Sequence, residues 1–79
     1  MEWKSCNDFI ETVTIDDLEY ARSHCNRNEY CRGVYDPGCD GKAPLHLCSK
    51  RATLQESSSS CLYYNGTYFR NIITVFYFL

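Results

Sequence analysis

Cys25-Asn26-Arg27-Asn28-Glu29-Tyr30-Cys31-Arg32-Gly33-Val34-Tyr35-Asp36 joins the end of a helix to the start of a strand, with a cysteine on each side of the junction. Working back from Cys25, Ala21, Arg22 (by its aliphatic stem), Leu18 and Ile15 recur at helical spacing. Thr14 supplies a cap, Asp17 stands three residues on as an acidic variant of the capping box, and Asp16 and Glu19 bring negative charge to the first turn. Asn26 and Asn28 end the segment, so the expected helix covers residues 15–26 and carries Cys25 on its inward face. Working forward, residues 30–35 are rich in β-formers, and Asp36-Pro37-Gly38 is a strong turn signal.

The junction belongs to a larger pattern. Six cysteines, Cys6, Cys25, Cys31, Cys39, Cys48 and Cys61, stand in a chain of 79 residues. That density and even count read as a disulfide framework and place the chain in an oxidising, secreted or extracellular setting. The length fits one domain over residues 1–79, and a core of this size is marginal without cross-links. Seven Tyr, four Phe and one Trp argue against disorder. A formal charge of −2 argues against bulk nucleic-acid binding, which favours a basic surface. Charge is uneven, with six acids against Lys4 between Glu2 and Glu19, and six bases against Glu29, Asp36 and Asp40 between Tyr20 and Arg51.

The rest of the chain reads as short strands and loops. Residues 8–13 form an expected first strand, and Leu45-His46-Leu47-Cys48-Ser49 alternates as a half-buried strand does. Residues 39–44 are a loop, and so is the serine run at 57–60. Cys61-Leu62-Tyr63-Tyr64, Asn65-Gly66 and Thr67-Tyr68-Phe69 read as a hairpin, because Asn and Gly accept positive φ. The apolar end, Asn71 to Leu79, is shorter than the roughly 20 residues that span a bilayer. It reads as a final strand in preference to the clipped start of an anchor, so no membrane insertion by this domain is expected. Met1-Glu2-Trp3-Lys4 lacks the basic-then-apolar order of a signal peptide, and the expectation is a mature or excised domain behind a start codon.

The N-terminal Cys, the capped helix ending in Cys25, and Cys31-Arg32-Gly33-Val34-Tyr35-Asp36 together resemble the PAN/apple domain. Leu47-Cys48 is similar to that family's central strand, and Ser60-Cys61-Leu62-Tyr63-Tyr64 to its closing strand, so the resemblance is strongest over residues 3–64. It implies an α+β fold in which one α-helix packs on a curved antiparallel β-sheet. It also implies bridges Cys6–Cys61 and Cys25–Cys31. The family carries a further Cys one turn before the position of Cys25, where this chain has Ala21. Cys39 is extra, which leaves Cys39–Cys48 as the expected third bridge.

Candidate chemistry is sparse. A Cys–His pair from Cys25 and His24 fails because adjacent helical side chains point in different directions and an oxidised Cys is no nucleophile. Asp16 and Asp17 suit the helix start better than acid–base work. Zinc on Cys31, Cys39, His46 and Cys48 is the rival use of the thiols, but no Cys-x-x-Cys knuckle is present. The expectation is therefore no catalytic residue, no metal and no cofactor. Arg32, Lys50 and Arg51 are the candidate ligand-binding residues, on or next to strands that are expected to be neighbours. Asn65-Gly66-Thr67 is a glycosylation sequon that a hairpin tip would expose, and Tyr63, Tyr64, Tyr68 and Phe69 are aromatic candidates for stacking on sugar rings. The function expected is an extracellular, non-enzymatic module for protein–protein or protein–carbohydrate recognition, as in adhesion or ligand docking, with an extracellular protein or glycan as partner. The alternative is a free-standing secreted ligand (toxin, pheromone or effector) acting on a receptor. Oligomeric state is left open.

Overall fold

A computed structural model describes residues 1–65, and the expected strand and apolar end beyond Asn65 lie outside the described residues. The element order is β1 (Lys4–Cys6), β2 (Phe9–Val13), α1 (Leu18–Asn26), β3 (Cys31–Asp36), β4 (Leu45–Ser49), β5 (Leu54–Glu56) and β6 (Cys61–Tyr64). The described residues are α+β and mostly strand, as expected, with one helix and antiparallel pairing among their strands.

The helix starts three residues later than Thr14 and Asp17 together suggested. Asp17 is itself the cap: its backbone is extended (φ −151°, ψ 104°) and its carboxylate accepts from Tyr20 N–H at 3.2 Å. Asp16 is drawn away to accept from Ala43 N–H at 2.6 Å, and Asp17 N–H donates to Ile15 C=O at 2.8 Å. Those bonds satisfy residues 15–17 in a non-helical path, the competition expected of Asp near helix starts. Ile15 consequently stays exposed, and the inward face is carried by Ala21 and Cys25. At the other end Asn28 N–H donates to Cys25 C=O and Cys31 N–H to Asn28 C=O, both at 3.0 Å, which turns the chain directly into β3.

Four strands form one sheet in the order β2-β4-β3-β6, and β1 pairs with β5 as a separate ribbon. The ribbon has no signal in the sequence, because each of its strands is three residues long and shows no periodicity. It is held by register, by the Lys4–Glu56 ion pair, and by Thr53 N–H donating to Asn7 Oδ1 at 2.9 Å.

Each face of the four-stranded sheet has its own core. On one face Val13, Val34, Leu45 and Leu47 cluster with Ala21 and Cys25 of α1, with Leu18 and Tyr63 packed at the margin. On the other, Cys48 and Leu62 cluster with Cys6 and Ala52, with Tyr35, Leu54 and Tyr64 against them. We call these the helix face and the outer face. The pairing partners show how residues reach them. Phe9 opposes Cys48 while Glu11 opposes Leu47, so Ile10 is an extra residue in β2. Cys31 opposes Ser49 while Gly33 opposes Cys48, so Arg32 is an extra residue in β3. An extra residue reverses the facing of everything beyond it. Phe9 thus goes to the outer face although Glu11 lies on the helix face, and Cys31 goes to the helix face although Gly33 lies on the outer one.

That reversal brings Cys31 to Cys25, and the bridge Cys25–Cys31 forms as the resemblance implied. The other two bridges differ from expectation: Cys6 bonds Cys48 and Cys39 bonds Cys61, replacing Cys6–Cys61 and Cys39–Cys48. The reason is placement. β1 belongs to the ribbon, and Cys6 shares the outer-face core with Cys48, their Cα atoms 6.2 Å apart. Cys61 opposes Asp36 at the end of β3, and the turn that follows brings Cys39 back to it with a Cα separation of 5.0 Å. Cys39 N–H donates to Asp36 C=O within that turn, and Cys39 takes a left-handed φ of 53°.

Two outcomes follow from this packing. On a chain-entropy account, the bridges spanning 42, 22 and 6 residues contribute about 4, about 3 and about 2 kcal/mol. Non-reducing peptide mapping should recover these three pairs, and a peptide linking Cys6 to Cys61 would instead restore the scheme of the resemblance. A methyl on Gly33 would meet the Tyr63 carbonyl oxygen at 2.5 Å, where β6 crosses closest. Gly33→Ala should therefore lower unfolding free energy by roughly 1–3 kcal/mol in urea titrations, as overpacking does.

Candidate functional site

The three basic candidates are gathered at one end of the β3–β4 pair. Arg32, the extra residue of β3, reaches over so that its guanidinium donates to Ala52 C=O at 3.0 Å. That carbonyl follows directly on the turn bearing Lys50 and Arg51, both exposed. Lys50 N–H donates to Tyr30 C=O and Arg51 N–H to Ser49 Oγ, each at 3.0 Å. Arg32 is thus half-buried and occupied in bracing the turn, and Lys50 and Arg51 carry the solvent-facing charge. The Glu2 carboxylate beside its hydroxyl, together with burial, holds the Tyr64 phenol above its ordinary 10.0.

Asn65 is not presented on an exposed tip. It is buried, and its Nδ2 donates to Cys25 C=O at 3.1 Å and to Cys31 C=O at 3.0 Å. Those are the carbonyls on either side of the helix–strand junction. The nitrogen that a glycan would occupy is used to close the fold, which corrects the expectation of an accessible sequon. Tyr63 and Tyr64 are half-buried against the two cores, whereas Tyr68 and Phe69 lie outside the described residues.

The zinc alternative loses its donors, because Cys31, Cys39 and Cys48 each enter a different bridge. His24 lies against Tyr20, ring centroids 4.5 Å apart, and its neighbour Cys25 is oxidised. Asp36, read from sequence only as a turn residue, is fully buried. Its Oδ2 accepts from Gly41 N–H at 2.7 Å, while its Oδ1 has no partner among the described residues. It organises the loop that carries Cys39.

A group that the sequence reading missed stands on the outer face, with Phe9 exposed and His46 and Tyr35 half-buried. Phe9 of β2, His46 of β4 and Tyr35 of β3 stack together. The Phe9 and His46 centroids are 4.3 Å apart with their planes 11° from parallel, and Tyr35 lies 5.5 Å from Phe9 and 5.9 Å from His46. Thr12 Oγ1 and His46 Nδ1 share a hydrogen bond of 2.9 Å. The hydroxyl donates to the neutral Nε2-protonated ring and turns to accept when Nδ1 carries a proton. Offset aromatic faces of this kind offer stacking area at little cost in side-chain entropy, and the imidazole adds a directional polar edge. The alternation Leu45-His46-Leu47 and Val34-Tyr35 already places His46 and Tyr35 opposite the apolar face. Only the extra residue Ile10 brings Phe9 to join them.

The opposite side of β2 borders a shallow groove of about 150 Å³, lined by Glu11, Val13, Ile15, Tyr20 and His24 with the intervening threonines. That is room for about five waters. It is below the roughly 300–1,000 Å³ of small-molecule sites, so the groove suits one side chain, not a metabolite.

Burial in the stack lowers the His46 pKa below its ordinary 6.5. The folded ring therefore resists protonation more than the unfolded one. Its contribution to stability is present above pH 6.5 and is lost as pH falls through the folded value. Melting temperature should drop more between about pH 7 and about pH 5 in wild type than in His46→Gln. Equal slopes would show that this ring is not sensed by the fold.

No family model matches the chain, and no curated protein or solved structure matches it significantly, so the site is read from its own geometry.

Proposed function

We propose that this chain is a non-enzymatic extracellular binding module that recognises a protein or a carbohydrate through the outer face of its sheet. The observation that carries the reading is the stack of exposed Phe9 on half-buried His46 and Tyr35, with Thr12 fixing the imidazole edge. An exposed aromatic ring backed by further rings and bordered by polar groups supports a recognition role. Three disulfides among the described residues are compatible with an extracellular location. Among the described residues no helix is long and apolar enough to cross a membrane. The PAN/apple resemblance supports the same class of function, with one helix packed on a curved antiparallel sheet.

Within this reading the basic turn is secondary, because Arg32 already holds a backbone carbonyl. The test is a screen of wild type against glycan and ectodomain arrays, repeated with Phe9→Ala, Tyr35→Ala and the triple variant Arg32→Ala/Lys50→Ala/Arg51→Ala. Each aromatic truncation should weaken any hit by ~0.5–1.5 kcal/mol, the scale of one aromatic contact, with melting curves retained. The triple variant should lose mainly salt-sensitive affinity. Binding that survives both aromatic changes and disappears with the triple variant would move the site to the basic turn.

A further inference from the structure

We infer that the β2 edge, between the aromatic stack and the helix-side groove, receives an extended basic polypeptide segment as an added strand. The inference rests on the proposed binding role and names the partner class for the same end of the sheet.

Among the described residues β2 has a strand neighbour on one side only, β4. Natural edges are usually blunted by lysine, proline or cover. β2 has neither residue, and its first four positions are exposed, including Phe9 at 42% and Ile10 at 39%. The extra residue at Ile10 disturbs the ladder at one end, so the regular stretch open to a partner is Glu11-Thr12-Val13. A strand laid along it alternates its side chains between the two faces. A residue opposite Glu11 or Val13 enters the helix-side groove, where Glu11, Ile15 and Tyr20 line room for one long side chain. The residue opposite Thr12 falls on the outer face, beside the Thr12–His46 bond and the Phe9 ring.

Charge selects the occupant. No Lys or Arg occurs between Ser5 and Ala21, whereas Asp8, Glu11 and Asp16 lie on the strand or beside it. The groove therefore takes an Arg or Lys whose stem lies on Ile15 and Tyr20 and whose cation faces Glu11, with the Tyr20 ring adding a cation–π contact. A second copy fits poorly: antiparallel pairing of β2 with itself about its central residue sets Glu11 against Glu11, and like charges directly opposite are destabilising. Strand addition supplies affinity through main-chain hydrogen bonds, and the alternating pockets supply selectivity.

The probe is an eight-residue peptide alternating Arg and Val, followed by fluorescence anisotropy with the oxidised full chain. Controls are the Glu-Val analogue and an Arg-Val peptide N-methylated at alternate residues. The Arg-Val peptide should bind, and the Glu-Val peptide should not. N-methylation should weaken binding roughly tenfold, because it removes ladder hydrogen bonds and leaves charge unchanged. Glu11→Gln should weaken it about two- to fivefold, the scale of one exposed ion pair, and reduce its salt dependence. Among residues 10–13, the amides that point away from β4 should gain hydrogen-exchange protection only when the peptide is present. Protection of those amides in the free chain would mean the edge is already occupied, and would overturn the inference. So would equal binding of the N-methylated peptide, self-association centred on β2, or no binding at all. If Phe9→Ala still abolishes a hit on the arrays while the peptide fails, the outer-face reading stands and only the strand-addition partner is lost.

Discussion

The extra residues Ile10 and Arg32, one on each side of β4, are the constraint on which the two faces depend. Without the Arg32 insertion, Cys31 would share a face with Gly33 and Tyr35 and point away from the helix. Cys25 would then have no partner within the junction, and Ala21 and Cys25 would lose the half-cystine that completes their cluster. Without the Ile10 insertion, Phe9 would follow Glu11 onto the helix face, and His46 would lose the ring stacked on it. Both insertions lie along the Leu47-Cys48-Ser49 segment, where the central strand also anchors Cys6 through Cys48. Bulges increase local twist and re-aim side chains. Here they also decide which cysteine meets which.

Three cross-links in so short a chain have a corresponding physical reason. The helix face and the outer face are each small, built from a few aliphatic side chains and half-cystines. Neither alone offsets the chain entropy of ordering a domain of this size. Each bridge ties a different pair of parts: the ribbon to the sheet, the helix to β3, and the Asp36 loop to β6. Asn65 adds a fourth tie by holding the carbonyls of both Cys25 and Cys31. Its burial shows how a sequon can serve structure, since a side-chain amide that satisfies two backbone acceptors relieves a desolvation cost that would otherwise fall on the junction.

The arrangement separates surface functions by face and by end. Aromatic area collects at the β2 end of the outer face, in the stack of Phe9, His46 and Tyr35. Positive charge collects at the turn after β4, where Arg32 braces the backbone. The acidic N-terminal segment runs along β2, which among the described residues pairs only with β4, and the start of the helix, with Asp17 committed to the cap and Asp16 to the Ala43 amide. Acids in that stretch thus divide between structural bonds and exposed surface charge.

Much of the fold was legible in the residues themselves. The spacing of Leu18, Ala21 and Cys25 gave a helix, the alternation in Leu45-His46-Leu47 gave a strand with two faces, and Asp-Pro-Gly gave the turn after β3. The number of cysteines pointed to a cross-linked chain, and the local bridge Cys25–Cys31 was implied by the PAN/apple resemblance. These are properties of near neighbours, governed by periodicity and capping. What tertiary structure decided is everything that depends on register: the ribbon of β1 with β5, the bridges Cys6–Cys48 and Cys39–Cys61, the inward turn of Asn65, and the meeting of Phe9 with His46 and Tyr35. A single inserted residue reverses a strand's facing without leaving a local signal, because its cost and benefit are both set by the partner strand across the ladder.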